Sequence, residues 1–190
     1  MSGSAGATIA VFGGSFDPPH VSHVLCVAYV LSAEEVDRVL VVPTFAHALD
    51  KKTSVSFEDR YEMTALAMRD MARVELSRIE EERGGKSRTL DTLETLIERH
   101  PEARFRLVIG ADILDETQRW YRWDRIVEIA PPIIVGRGGY DAPRADALTL
   151  PEVSSTDLRR RLGRGDSVAG LVPRSVEAYI RQRGLYAEAS

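Results

Sequence analysis

The stretch Thr8-Ile9-Ala10-Val11-Phe12-Gly13-Gly14-Ser15-Phe16-Asp17-Pro18-Pro19-His20-Val21-Ser22-His23 decides how the rest of the chain is read. An apolar run of strand length feeds paired glycines, and two prolines then open a segment of helical character. Glycine lets a backbone leaving a strand bend sharply and approach a ligand. A helix start offers unpaired N–H groups and the positive end of its dipole to an anion. With a helix from about His20 to Ser32, His20 and His23 fall on one face of its first turn. The expectation is a phosphate-handling turn, with two imidazoles facing whatever the glycines cradle.

Outward from this turn, apolar runs of strand length alternate with segments of helical period, the pattern of right-handed βαβ crossovers around a parallel sheet. Arg38 to Val42 reads as the second strand, closed by Pro43. Ser56 opens a helix with Asp59 at its third position, a relative of the capping box. Val74 to Glu80 reads as a short strand, and Gly84-Gly85 breaks the chain. Leu90, Leu93, Leu96 and Ile97 form one helical face, and Pro101 follows that helix. Phe105 to Gly110 and Pro132 to Val135 read as later strands, the second leading into a glycine-rich loop at Gly136 to Tyr140. A last helix runs from about Pro173 to Arg183 and is expected against the phosphate-motif end. The fold class is a Rossmann-like three-layer α/β/α domain with a mostly parallel sheet, its site beyond the strand C-termini at the switch in strand order.

The 190 residues, 44% hydrophobic and 28% charged, suit one domain from residue 8 to 190 behind a flexible tail of residues 1–7. A net charge of −4 argues against broad nucleic-acid binding, which needs a basic footprint. The single cysteine, Cys26, sits in an apolar stretch and reads as a small buried hydrophobe, so no intrachain disulfide forms. No apolar run approaches membrane-spanning length and no secretory signal is evident, which makes the expected location cytoplasmic. Oligomeric state stays open, with a homo-oligomer among the options.

A second signal lies at Glu152-Val153-Ser154-Ser155-Thr156-Asp157-Leu158-Arg159, after the short apolar stretch Ala147 to Leu150. It reads as another helix N-terminus. Ser154, Ser155 and Thr156 either cap backbone donors or add hydroxyls to an anion site, and Arg159 can bind phosphate oxygens through its planar fork. Read alone, routine capping with a solvated basic face is the commoner outcome. His20 and His23 with Asp17 could also be read as metal ligands, but without further Cys or His nearby a zinc site is not expected.

Taken together, Gly13 to His23 and Ser154-Ser155-Thr156-x-x-Arg159 resemble the nucleotidyltransferases that carry a paired-histidine motif and a Ser-Ser-Thr-x-x-Arg motif on a Rossmann-like sheet. The intervening pieces are similar to those of bacterial nicotinate mononucleotide adenylyltransferases. They are Ser87-Arg88-Thr89-Leu90-Asp91-Thr92-Leu93, Ile109-Gly110-Ala111-Asp112 with Trp120 beyond, Val135-Gly136-Arg137-Gly138-Gly139, and Gly170-Leu171-Val172-Pro173 followed by Val176, Tyr179 and Ile180. The resemblance covers nearly the whole chain. It implies transfer of AMP from ATP to the phosphate of nicotinate mononucleotide, giving deamido-NAD and pyrophosphate without a covalent intermediate. Mg²⁺ is expected to arrive on ATP, with no dedicated protein ligands.

The resemblance also implies roles. His20, His23 and Arg159 are the expected catalytic residues. The ATP site takes these three with Gly13, Gly14, Ser15, Phe16, Gly110, Asp112, Arg137, Ser155 and Thr156. The mononucleotide site takes His47, Lys51, Lys52, Thr89 and Trp120. Several have a rival role: Asp112 and Thr89 as helix caps, Trp120 and its neighbour Tyr121 as core, Lys51 and Lys52 as solvated loop charges.

Three positions depart from the family pattern. Ser22 stands where the family usually has glycine, Arg88 stands where an aromatic often precedes the threonine, and the proline-rich stretch before Lys51 is reduced. Arg88 is a candidate partner for the carboxylate of the acid substrate. The rival functions are a related adenylyltransferase using nicotinamide mononucleotide or phosphopantetheine, and a nucleotide-binding regulatory protein that has lost transfer.

Overall fold

The computed structural model describes residues 6–46, 53–137 and 149–187. Six strands form one sheet: β1 (Thr8–Gly14), β2 (Arg38–Pro43), β3 (Val74–Leu76), β4 (Arg104–Gly110), β5 (Pro132–Arg137) and β6 (Thr149–Leu150). Their spatial order is β3-β2-β1-β4-β5-β6, and every strand pair is parallel. The chain moves outward one way from β1 through β2 to β3, then returns to β4 on the other side of β1. This reversal opens a crevice beyond the C-terminal ends of β1 and β4, as the parallel reading requires.

The helices are α1 (Val21–Ala33), α2 (Phe57–Met68), α3 (Ile79–Arg83), α4 (Thr89–Arg99), α5 (Trp123–Ile129), α6 (Ser155–Gly163) and α7 (Arg174–Arg183), with a 3-10 helix at Ala111–Arg119. Alternation along β1 sets the layers, because successive side chains in a strand point to opposite faces. Ile9 and Val11 pack with Leu90, Leu93 and Leu96 of α4, Ile79 of α3 and Ile126 of α5. Ala10, with Val39 and Val41 of β2, packs instead on Cys26, Val27 and Val30 of α1. Cys26 is thus core, as expected. A third cluster joins Met63 of α2, Leu158 of α6, and Val176 and Ile180 of α7, bringing the last helix beside α6, as expected. Among the described residues no helix is long and apolar enough to cross a membrane.

Several local expectations are corrected. The strand predicted over Val74 to Glu80 stops at Leu76; Ser77 Oγ accepts from the Ile79 N–H at 3.2 Å, and α3 follows. The helix-forming run Ile79-Glu80-Glu81-Glu82-Arg83 outweighs the short apolar pattern there. Gly136, placed in a loop by sequence, lies inside β5, paired with Thr149 of β6. Gly13 and Gly14 close β1 rather than forming the bend. The left-handed turn falls on Phe16, at φ 49°. Gly14 is needed for another reason: a Cβ there would meet the Phe16 ring at 3.0 Å.

Candidate active site

A cleft of about 910 Å³ opens at the reversal in strand order. Its first wall is the segment from Gly13 to His23. Helix α1 begins one residue later than the sequence suggested, so His20 is the N-cap and His23 the third helical residue. The His20 backbone N–H donates to His23 Nδ1 at 3.1 Å. A nitrogen that accepts carries no proton, so the proton of the neutral His23 ring is on Nε2, the edge opposite the cap. The two imidazoles stack, centroids 3.7 Å apart at 27°, with His20 buried. Beneath them the Phe16 ring meets His23 edge-on at 5.0 Å and fills core below the cleft.

The opposite wall is the start of α6, and hydrogen bonds fasten it to the first. Ser154 caps the helix by accepting from the Thr156 N–H at 3.2 Å, so the bland reading holds for that serine. Ser155 Oγ instead donates to the Pro18 carbonyl at 3.0 Å. Arg159 Nη1 donates to the Asp17 carbonyl at 2.7 Å, and its Nη2 donates to Thr156 Oγ1 at 3.1 Å. Residues distant in the chain therefore form one polar frame, and His20, His23, Ser154, Ser155, Thr156 and Arg159 all line the cleft. Ser22, the departure from the family glycine, is buried and donates to the Pro151 carbonyl at 2.8 Å, tying α1 to the approach of α6.

At the C-terminal end of β4, Gly110 is the residue before the 3-10 helix and Asp112 lies within its first turn, so Asp112 is not the cap. A Cβ at Gly110 would collide with Asp112 Oδ1, so any larger residue here displaces the Asp112 side chain. Thr89 is likewise not a cap but the first residue of α4, after Arg88. Thr89, Trp120, Tyr121 and Arg88 line the same cleft. Trp120 is partly buried and meets Trp123 edge-on at 5.6 Å, combining core contact with a face on the cleft. The Arg137 side chain, His47, Lys51 and Lys52 lie outside the described residues. The chain on either side of residues 47–52 is anchored on the cleft walls: the Ala46 N–H donates to Ser87 Oγ at 3.1 Å, and the Ser54 N–H to Asp17 Oδ2 at 2.6 Å.

Sequence reasoning missed a buried polar support under the first wall. Asp17 is buried, and its Oδ1 accepts from the Tyr186 hydroxyl at 2.7 Å. Burial, reinforced by the neighbouring carboxylate, pushes the Tyr186 phenol far above its ordinary value, so it stays a donor. Arg60, fully buried in α2, donates to the Ser15 carbonyl at 2.8 Å. Burial lowers its guanidinium from the usual value, and Asp17 opposes that shift. Glu80 of α3 is also buried at the cleft wall, accepting from the Phe45 N–H and the Thr92 hydroxyl, both at 3.1 Å. Arg60 was detectable as a charge on the buried Arg60-Met63-Thr64 face of α2. Tyr186, beyond the last helix, left no local signal.

A parallel sheet with a reversal crevice, a helix N-terminus bearing two imidazoles and an arginine fork across from it define a nucleotide-handling site. Residues 11–161 match the cytidylyltransferase-like family model. The probable nicotinate-nucleotide adenylyltransferase of Anaeromyxobacter sp. (strain K) is 45% identical over 186 residues, covering 96% of this chain and 98% of that one. Those of Myxococcus xanthus and Thermus thermophilus are 41% and 40% identical, covering 94% of this chain in each case and 94% and 98% of their own lengths. The chain belongs to the cytidylyltransferase-like family and, within it, to the nicotinate-nucleotide adenylyltransferases. In fold it is similar to the Plasmodium falciparum nicotinic acid mononucleotide adenylyltransferase complexed with NaAD, at a TM-score of 0.81 and 22% identity over 95% of this chain and 97% of that one.

Proposed function

We propose that this protein, acting through one domain spanning residues 8–190, transfers the adenylyl group of ATP to the phosphate of nicotinate mononucleotide. The single observation that carries the reading is the frame joining the starts of α1 and α6 across one cleft, Arg159 to the Asp17 carbonyl and Ser155 to the Pro18 carbonyl. Two anionic reactants must be held together there, so the site needs cationic groups and oriented donors more than a base.

The incoming phosphate is already ionised at neutral pH and serves as the nucleophile. One of its oxygens bonds to the α-phosphorus as the bond from that phosphorus to the bridging oxygen breaks, and the electron pair leaves on pyrophosphate. Most of the acceleration comes from in-line positioning and from stabilising charge on the equatorial oxygens and the leaving group. His23 donates through Nε2 to the triphosphate, with His20 stacked beside it. Arg159, Ser155 and Thr156 hold the β- and γ-phosphates, and the backbone of Gly13 to Phe16 lines their path. Asp112 accepts from ribose hydroxyls behind Gly110, and Arg137 borders the adenosine end. Mg²⁺ enters as part of the ATP substrate. At the other end Trp120 stacks on the pyridine ring, Thr89 contacts it, and His47, Lys51 and Lys52 hold the mononucleotide phosphate.

The test is pyrophosphate release from Mg-ATP with nicotinate mononucleotide, nicotinamide mononucleotide and phosphopantetheine in turn. Release with the nicotinate compound at the highest kcat/KM is the expected result. Preference for phosphopantetheine, or ATP binding without release for any acceptor, overturns the reading.

A further inference from the structure

Resting on the adenylyl-transfer reading above, we propose that Arg88 is the residue by which this chain prefers a pyridine carboxylate to the corresponding carboxamide. Arg88 precedes the first residue of α4 in extended backbone, at φ −97° and ψ 131°, and lines the cleft beside Thr89, Trp120 and Tyr121. Its guanidinium centre lies 4.8 Å from the centroid of the Tyr121 ring. A cation–π contact of this kind restricts a side chain that would otherwise sample many rotamers. The in-plane N–H edges make no hydrogen bond or ion pair among the described residues. They form a fork that lines the cleft beside Trp120, which the reading above stacks on the pyridine ring. The start of an eleven-residue helix adds positive potential at the same spot.

This arrangement discriminates in both directions. A carboxylate presents two equivalent acceptor oxygens with a full charge, so it can take both N–H bonds of the fork. A carboxamide presents one neutral acceptor, and its own NH₂ then faces a donor edge with nothing to accept it. The buried Glu80 on the cleft wall accepts the Phe45 N–H on one oxygen and the Thr92 hydroxyl on the other. Arg119 is the rival cation on this wall, at the end of the 3-10 helix with Glu116 one turn before it. Among the described residues Arg88 is stacked on a ring and Arg119 is not.

The experiment compares the full-length wild type, Arg88→Gln and Arg119→Gln by steady-state pyrophosphate release at saturating Mg-ATP, varying each mononucleotide. Because Arg88 is exposed, the low end of charge-assisted pairing applies, and Arg88→Gln is expected to raise KM for nicotinate mononucleotide roughly 10-fold. In that variant kcat stays within about twofold, as for loss of uniform binding, and kcat/KM for the amide does not fall. Arg119→Gln keeps the wild-type ratio. An unchanged KM for the acid in Arg88→Gln, an equal loss for acid and amide, or transfer of the effect to Arg119→Gln overturns the proposal. Thermal unfolding of each variant separates a specific loss from misfolding. Absence of turnover by the wild type with the nicotinate compound would instead defeat the adenylyl-transfer reading itself.

Discussion

His23 uses its two ring nitrogens for different purposes, and substitution can separate them. Nδ1 accepts the His20 backbone N–H at 3.1 Å, a capping bond at the start of α1. Nε2, on the opposite edge, carries the proton that the proposed mechanism directs to the triphosphate. Asparagine places its side-chain oxygen close to where Nδ1 lies and has nothing where Nε2 lies. His23→Asn should therefore keep the cap and lose the phosphate donor. Loss of a donor aimed at transition-state charge costs about 100- to 1000-fold in kcat. Loss of a cap costs about 1 kcal/mol, worth about 2–4 °C in Tm for a chain of this size. The assay pairs pyrophosphate release with thermal unfolding for His23→Asn, His23→Ala and His20→Ala. The expected pattern is wild-type Tm with greatly reduced kcat for His23→Asn, and loss of both for His23→Ala. In His20→Ala, kcat falls roughly 100-fold or more with a smaller loss of ATP binding. Wild-type turnover in His23→Asn would refute the assignment of its donor edge, and an unchanged Tm in His23→Ala would refute the capping role.

Ser22→Ala removes the bond to the Pro151 carbonyl and should lower stability by about 1 kcal/mol while leaving kcat close to wild type; urea unfolding reads the first, and a large kcat loss would mean the tether itself positions α6. Gly110→Ala forces Asp112 aside and should raise KM for ATP more than KM for the mononucleotide; equal changes in both would contradict the placement of Asp112 at the adenosine end. Asp59 accepts from the Ser56 hydroxyl, Tyr179 and Arg183, and the Ser56 bond above all holds its carboxyl below the usual value. A depressed folded-state value stabilises above the unfolded value of about 4, and that contribution is lost as pH falls through the folded value. Acid titration of Tm below about pH 4 should therefore be shallower in Asp59→Asn than in wild type, and identical slopes would remove Asp59 from the account.

Much of the site was readable before any tertiary contact was known, because the relevant rules are local. The apolar run Thr8 to Phe12, the Ser56 cap with Asp59, and the face Leu90-Leu93-Leu96 each follow from spacing and side-chain chemistry over a few residues. The same locality produced the errors. Sequence assigned the bend to Gly13-Gly14, whereas the structure puts the left-handed residue at Phe16, whose ring needs the space that Gly14 leaves open. Val74 to Glu80 carried a strand pattern too short to compete with the helix-forming acidic run at its end.

The sequence by itself determined the α/β alternation, the two helix starts that meet at the cleft and the residue types available there. Tertiary structure alone decided that Ser155 and Arg159 fasten onto the Pro18 and Asp17 carbonyls, that Tyr186 and Arg60 support the same turn from beneath, and that the Arg88 guanidinium lies over the Tyr121 ring. The reason is physical: caps and periodicities are satisfied within one or two turns of chain, whereas a buried carboxylate or carbonyl must find its donor wherever the sheet's order of strands delivers one.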